Sequence, residues 1–238
     1  MIICHSKRFI FIHIQKTGGT SVELALEPML SWSDLILGSS AFGEMIDAHY
    51  KSRFGLSKHS SLAEIENICG KQICRSYAVF ATVRHPLDRL CSVYNYVGSK
   101  VHDWAERHRI PLEDLAGHLT EQARAQAPVL KWPAAKAFIG TSTFSQFIRD
   151  ERVRAAAPFR TQASYLRSVE GGEMRAAVFR LEDKSMWGAG LQAILGTSPT
   201  LPHSNRSRLQ FITAERVSTQ DRHYVEESFK EDFAAFAY

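Results

Sequence analysis

The chain has 238 residues, and its 29 lysine and arginine side chains against 25 aspartate and glutamate side chains leave a formal net charge of +4. Hydrophobic residues make up 45% of the chain, which is ordinary for a protein that buries a core and excludes a mainly disordered one. The net charge is modest and the basic residues are not gathered into one run, which argues against a nucleic-acid-binding protein.

Four cysteines are too few for a disulfide-stapled scaffold, and none of them has the spacing of zinc ligands. We therefore expect free thiols, no metal site and a cytoplasmic location. No stretch approaches the roughly 20 apolar residues of a membrane-spanning helix, so no transmembrane segment is predicted.

The first predicted strand covers residues 8–14, a nearly continuous apolar run rich in β-branched and aromatic side chains. Such a run is typical of a strand buried on both faces of a parallel sheet. The segment Gln15–Thr20, with two glycines, follows it. From Ser21 onward apolar residues recur at helical spacing, so strand, loop and helix form the first half of a βαβ unit.

The same order returns in the middle of the chain. Ser61 and Glu64 have the spacing of a capping box that opens a short helix, with Gly70 as its stop. A strand is predicted over residues 77–83. Pro86 then suits a first helical position, and an apolar stripe continues to Gly98.

Beyond residue 100 the pattern is mostly helical, with helices predicted near 112–125, 142–150, 185–195 and 213–230 and one strand over 177–181. Alternating strands and helices predict an α/β fold with a sheet flanked by helices and a mostly helical C-terminal half. We expect one domain over residues 1–238, with 97–135 as a possible helical insertion.

The loop after the first strand has the composition of an anion site. Free backbone N–H groups and the positive end of a helix dipole meet where a strand passes into a helix. Gly18 and Gly19 allow close backbone approach, Thr20 and Ser21 offer hydroxyl donors, and Lys16 adds a full charge. The lysine precedes the glycines, so the loop is neither a Walker A motif nor a dinucleotide fingerprint.

The loop after the 77–83 strand repeats this logic more weakly, with Arg84 at the strand end and Ser92 on the following helix. An arginine in this place is often only a surface ion pair, and a helical serine is usually inert. Two such loops in one α/β chain favour a ligand that has two separated anionic groups.

Residues 11–21, Phe-Ile-His-Ile-Gln-Lys-Thr-Gly-Gly-Thr-Ser, resemble the 5′-phosphosulfate loop of sulfotransferases that use 3′-phosphoadenosine 5′-phosphosulfate (PAPS). Residues 80–94 resemble the 3′-phosphate-binding strand and helix of the same family, in its carbohydrate and heparan-sulfate branch. Weaker similarity continues through residues 179–183, 201–207 and 232–238, whereas 97–160 show little. Gln15 stands where the family usually has proline.

The resemblance implies a P-loop-like parallel sheet and a PAPS-dependent enzyme that releases 3′-phosphoadenosine 5′-phosphate (PAP) and needs no metal. The implied 5′-phosphosulfate site is the loop of Lys16, Thr17, Gly18, Gly19, Thr20 and Ser21. Arg84 and Ser92 would hold the 3′-phosphate, and Lys16 would stabilise the leaving oxygen. The polar stretch after residue 202 would add contacts through Asn205, Arg206 or Ser207.

Transfer to a hydroxyl also needs a base that titrates near neutrality, a role that suits histidine. Of the ten histidines, His13 is interpreted as a buried core residue, and position leaves His49 and His59, between the two loops, as candidates. The resemblance favours His59, because carbohydrate sulfotransferases have a base histidine in a similar interval.

Two alternatives remain at this point: a catalytically silent nucleotide-binding module and a nucleotide-dependent phosphotransferase. The branch resembled favours a carbohydrate or another hydroxyl compound as acceptor, and Trp32, Trp104 and Trp132 are candidates for stacking on sugar rings. The sequence gives no indication of the oligomeric state.

Overall fold

The computed structural model describes residues 1–111, 114–117, 128–169, 174–202 and 207–238. The described strands form one five-stranded sheet in the order β3-β1-β2-β4-β5. They are β1 (Ile2–Cys4), β2 (Phe9–Ile12), β3 (Leu35–Ile36), β4 (Ala78–Val83) and β5 (Ala177–Arg180).

The sequence predicts a parallel sheet, and the structure has a mixed one. β2 pairs in parallel with β4, and β4 pairs in parallel with β5. β1, however, is antiparallel to both β2 and β3. A short turn joins β1 to β2, and a connection of that length permits only an antiparallel pair. Strands of three and two residues are also too short to show a periodicity, so the sequence did not reveal β1 and β3.

The two predicted central strands are buried on both faces, as their continuous apolar sequences indicate. Successive side chains point to opposite faces of a strand, so Ile10 and Ile12 enter one core while Phe9 and Phe11 enter the other. On the second face the ring centroid of Phe80, from β4, lies 5.2 Å from that of Phe11. The ends of β2 and β4 are thereby held at a fixed separation.

The chain forms two compact units. The first contains Met1–His85, Thr161–Asn205 and Glu231–Tyr238, and the second contains Pro86–Arg160 and Arg206–Lys230. The whole sheet belongs to the first unit. A single folding domain over residues 1–238 stays a prediction.

The first unit surrounds its sheet with helices. These are α1 (Gly19–Leu26), α2 (Ala41–Phe54), α3 (Leu62–Cys69), α4 (Lys71–Ser76), Gln162–Leu166, Trp187–Leu195 and Lys230–Phe236, with 3₁₀ turns at Glu27–Met29 and Leu181–Met186. The capping box of α3 is confirmed: the Ser61 side chain accepts from the Glu64 N–H, and the Glu64 carboxylate accepts from the Ser61 N–H. The sequence analysis missed α2, in which Gly43 alone is buried, because that helix has no continuous apolar face.

The second unit is helical in its described residues. Its helices are α5 (Pro86–His108), Pro128–Lys131, Pro133–Gly140, Phe144–Arg149, Glu151–Arg154 and Thr219–Ser228, with 3₁₀ turns at Ala157–Phe159 and Ala214–Arg216. Helices predicted near 142–150 and 213–230 are therefore confirmed, and so is the one near 185–195 in the first unit. Most of the helix predicted near 112–125 lies outside the described residues.

Helix α5 continues for ten residues beyond Gly98, where the apolar stripe traced from the sequence ends. A Cβ on Gly98 would lie 2.5 Å from the ring of Phe211 and 2.7 Å from that of Phe138. The glycine is therefore a packing position inside the helix, where two aromatic rings approach the backbone, and not a helix stop.

Candidate active site

The first loop joins the end of β2 to the start of α1. Lys16 has φ 67° and Gly18 has φ 85°, so the backbone turns twice through the left-handed region before the helix begins at Gly19. No side chain caps this helix at Gly18. Backbone N–H groups in the first turn of a helix can bind an anion, and here Ser21 N–H donates to the Gly18 carbonyl at 3.0 Å.

The two glycines are required by space as well as by backbone angle. A Cβ on Gly19 would lie 2.3 Å from the ring of His13, and one on Gly18 would lie 2.9 Å from the side chain of Leu181. Both neighbours press against the backbone of the turn. The loop is thus a tightly packed bend, in which Gly18 is half-buried and Gly19 is buried.

Thr17 faces the protein interior. Its side chain is fully buried, and its hydroxyl donates to the Ile14 carbonyl at 2.8 Å and lies 3.1 Å from the Thr82 hydroxyl on β4. The Thr17 side chain therefore fixes the loop to the neighbouring strand. Thr20 and Ser21 are half-buried in the first turn of α1.

The second loop, Arg84 and His85, follows β4 directly. Its backbone N–H groups already have acceptors: Arg84 N–H donates to the Gln162 side-chain oxygen at 2.9 Å, and His85 N–H donates to the Glu182 carboxylate at 2.8 Å. The sequence predicts an anion site at this loop, with Arg84 and Ser92 as its candidate side chains. Since the backbone N–H groups of Arg84 and His85 already donate to Gln162 and Glu182, an anion bound here would contact the Arg84 side chain.

Both loops leave the same edge of the sheet. β2 and β4 are parallel neighbours with Ile12 opposite Ala81, so their carboxyl ends lie side by side. The contact between Thr17 and Thr82 joins the first loop to the second strand. Lys16 and Arg84 therefore belong to adjacent loops of one unit. Ser92 lies on α5, in the second unit.

His59 lies beside the end of β2. Its Nδ1 is 2.8 Å from the backbone oxygen of His13. A carbonyl oxygen only accepts, so Nδ1 carries the hydrogen and Nε2 keeps the lone pair. Burial, followed by the influence of His13, lowers the pKa of His59 well below its ordinary value of 6.5. At neutral pH the ring is an uncharged acceptor, which is the form that a general base needs.

His13 is a buried core residue, as the sequence analysis interpreted it, but it also belongs to a polar pair. Its Nδ1 lies 2.8 Å from the carboxylate of Glu23 on α1, and its ring meets that of His59 edge-on at 4.7 Å. Burial lowers the pKa of His13 against the opposing effect of the carboxylate. Burial alone would raise the pKa of Glu23, but His13 and the amino group of Met1 outweigh it and lower that pKa.

The pair of Glu23 and His13 was missed as a part of the site, since nothing in the spacing of residues 13 and 23 distinguishes it from ordinary helix and strand positions. The pair connects three parts of the site. The His13 carbonyl is the partner of His59, its ring packs against Gly19, and its Nδ1 lies at ion-pair distance from the Glu23 carboxylate. The base candidate and the first turn of α1 therefore rest on one buried side chain.

The other predicted site residues lie elsewhere or outside the described residues. His49 is exposed on α2, and Ser207 is half-buried. Asn205 and Arg206 fall outside the described residues.

The three tryptophans suggested for acceptor binding differ in exposure. Trp104 is buried and stacks on His108, Trp132 is 37% exposed and stacks on Tyr96, and Trp32 is 97% exposed. Trp104 is therefore a core residue, whereas Trp32 and Trp132 reach the surface.

None of the helices in the described part of the chain combines the length and hydrophobicity needed to cross a bilayer. Within the same ranges, no group of three or more histidine, cysteine, aspartate or glutamate side chains could hold a metal ion.

Comparison of the chain with known proteins gives one family. Searches of curated proteins and of solved structures return no match. The model of the sulfotransferase family matches residues 1–158, about two thirds of the chain and including both loops and His59. Since that match covers well over half of its length, the chain belongs to the sulfotransferase family, whose enzymes transfer a sulfuryl group.

Proposed function

We propose that this protein transfers a sulfuryl group from PAPS to an acceptor hydroxyl on a carbohydrate or glycoconjugate, with His59 as the base. The observation that carries the proposal is the placement of two basic loops at the carboxyl ends of neighbouring parallel strands, with His59 bonded to the end of the first. Family membership supports sulfuryl transfer, and the donor, the acceptor and the base are our inference.

The first loop fits the 5′ end of the donor. The loop passes through the left-handed region at Gly18 into the first turn of α1, where backbone N–H groups and the positive end of the helix dipole would attract a phosphate. Lys16 in this loop would neutralise the negative charge that develops on the oxygen between phosphorus and sulfur. Such stabilisation is worth most where it acts on charge that appears only in the transition state.

The second loop fits the 3′-phosphate through a side chain. Arg84 presents a guanidinium group, which pairs with two phosphate oxygens at once, while its backbone is already bonded to Gln162. Ser92 on α5 would add a hydroxyl donor, and Asn205, Arg206 or Ser207 would add further contacts. The distance between two loops on neighbouring strands then selects a nucleotide with phosphates at both ends.

His59 would remove the acceptor proton. Its Nε2 takes the proton from the acceptor hydroxyl as the acceptor oxygen forms its bond to sulfur. The bond between sulfur and the phosphate oxygen breaks at the same centre. PAPS supplies the sulfuryl group, and the nucleotide part leaves as PAP. The hydrogen bond from Nδ1 to the His13 carbonyl keeps the imidazole in the tautomer that can accept.

The test is a transfer assay with sulfate-labelled PAPS and a panel of polysaccharides, glycolipids and small alcohols. We expect label on a carbohydrate acceptor without added metal, and none when ATP replaces PAPS. Lys16→Ala should abolish transfer, whereas Lys7→Ala, at an exposed position between β1 and β2, should leave it unchanged. Phosphoryl transfer from ATP, or PAP binding without transfer to any acceptor class, would instead support one of the two alternatives given with the sequence.

A further inference from the structure

The side chain of Gln162 forms hydrogen bonds to the backbone of the second loop. Its side-chain oxygen accepts from Arg84 N–H at 2.9 Å, and its side-chain nitrogen donates to the Arg84 carbonyl at 2.8 Å. The amide therefore pairs with both polar groups of one residue, as a neighbouring strand would. Gln162 is fully buried, so water cannot replace either bond.

Asp232 holds Gln162 in place. One carboxylate oxygen accepts from the Gln162 backbone N–H at 2.9 Å and from its side-chain nitrogen at 3.2 Å, and the other accepts from Ala163 N–H at 2.9 Å. Asp232 is also fully buried. Because the carboxylate can only accept, it fixes which end of the Gln162 amide faces the Arg84 carbonyl.

The next residue of the loop is held in a similar way. His85 N–H donates to Glu182, and the His85 ring packs edge-on against Phe233 and Tyr238 at 5.3 and 5.2 Å. The backbone of the loop is thus fixed from two sides before any ligand arrives. Within this loop a bound phosphate would contact the Arg84 side chain, and that contact depends on where the backbone places the guanidinium.

We infer that Gln162 is a positioning residue for donor binding, which orients Arg84 toward the 3′-phosphate while Asp232 orients Gln162. This inference rests on the proposed function and assigns a role to residues outside the loops themselves. Its consequence is selective: the loss of Gln162 should weaken recognition of the 3′-phosphate and leave recognition of the 5′-phosphate intact. A role confined to folding would weaken both.

The experiment compares two probes, PAP and adenosine 5′-phosphate, by calorimetric binding to the full chain. Gln162→Met removes both hydrogen bonds to Arg84 with little change in volume. We expect PAP affinity to fall about tenfold while adenosine 5′-phosphate affinity changes by less than about twofold. In turnover, KM for PAPS should rise with kcat nearly constant, because an interaction made equally before and during transfer is lost. Gln192→Met, at an exposed position of the same unit, is the matched control.

A double-mutant cycle with Arg84→Ala tests whether Gln162 affects PAP binding through the Arg84 side chain. The alanine keeps the backbone groups that Gln162 contacts but removes the guanidinium. If Gln162 acts through Arg84, Gln162→Met should cause no further loss of PAP affinity in the Arg84→Ala protein. Additive losses, or equal weakening of both probes, would overturn the inference. Should Gln162→Met not fold, Asp232→Asn carries the same comparison, since it disturbs Gln162 without removing its amide.

The outcome for the unmodified protein separates this inference from the proposed function. If wild-type protein binds PAP no better than adenosine 5′-phosphate, the 3′-phosphate assignment fails before any variant is considered. If it prefers PAP and Gln162→Met retains that preference, only the positioning role is wrong.

Discussion

At the scale of single residues, the lone pair on His59 Nε2 is fixed by the hydrogen bond that the other ring nitrogen makes. The acceptor is a main-chain carbonyl, which moves only if the end of β2 moves. The ring that packs against His59 belongs to the residue that provides this carbonyl, and it is held in turn by Glu23. The proposed base is therefore preorganised by a strand end and not by a mobile side chain.

We predict that His59→Gln lowers kcat by about 10²- to 10⁴-fold while PAP affinity stays within about twofold, because general-base assistance is lost without a change in the anion loops. Because its pKa lies below 6.5, His59 is neutral at neutral pH and becomes protonated only in acid. Wild-type kcat/KM should therefore be level through neutral pH and decline only in more acidic solution, as the pH approaches the lowered pKa of His59, measured by steady-state rates across that range. Equal activity of His59→Gln and wild type would exclude His59 as the base, and His49→Gln is the control at an exposed position.

Gly19→Ala tests the packing under the first loop. Its Cβ would lie 2.3 Å from the His13 ring, so either the ring or the first turn of α1 must shift. We expect a loss of about 1–3 kcal/mol in the free energy of unfolding and weaker PAP binding. Gly117→Ala, whose Cβ would meet only a carbonyl oxygen at 3.5 Å, is the control in chemical denaturation. An unchanged unfolding midpoint for Gly19→Ala would contradict the tight contact.

At the scale of elements, the features that the sequence predicts well are those with a strong local signal. β2, β4 and β5 are apolar runs, Pro86 marks the first residue of α5, and Ser61 with Glu64 marks the start of α3. The features it did not predict depend on distant partners. β1 and β3 are strands only because they pair with neighbours, and Gln162 reaches Arg84 across 78 positions of sequence.

The candidate site likewise contains parts that the sequence predicts and parts that it does not. The residues of the first loop follow one another in the chain, so its glycines and Lys16 could be identified from the sequence. The tautomer of His59 depends on a carbonyl 46 residues away, and the backbone donors of the second loop are occupied by residues 78 and 97 positions away. No motif spacing encodes these contacts, so they required the structure.

Ser61→Ala tests the cap at the start of α3, two residues after His59. The Ser61 hydroxyl accepts from Glu64 N–H and so satisfies one donor at the start of α3. Its removal should lower the free energy of unfolding by about 1 kcal/mol. Thermal unfolding beside Ser33→Ala, at an exposed loop position, measures the difference. If both variants unfold at the same temperature, the cap contributes nothing to stability.

At the scale of the whole molecule, the buried titratable groups predict how stability depends on pH. The pKa values of His13 and His59 are lowered on folding, so the unfolded chain binds more protons below 6.5. The pKa of Glu23 is also lowered, and its contribution is lost in still more acidic solution. Each contribution is present at neutral pH and lost as pH falls through the folded pKa.

We therefore predict that the melting temperature falls steadily below pH 6.5, with a smaller fall in His59→Gln. The buried amino group of Met1, whose pKa burial lowers from 8.0, adds a dependence of the same sign above pH 6.5. Calorimetric scans at a series of pH values would measure both slopes. A melting temperature that rises on acidification from 6.5 would have the opposite sign and would contradict the neutral state of these rings.

The central claim is that one nucleotide is held at both ends by two adjacent loops. The direct measurement is the affinity of PAP, adenosine 5′-phosphate and adenosine 3′-phosphate for wild type, Lys16→Ala and Arg84→Ala. Lys16→Ala should weaken the two ligands with a 5′-phosphate, and Arg84→Ala the two with a 3′-phosphate, each by about tenfold or more. If wild type binds PAP no more tightly than either monophosphate, or if both variants weaken all three ligands alike, the two loops do not share one nucleotide.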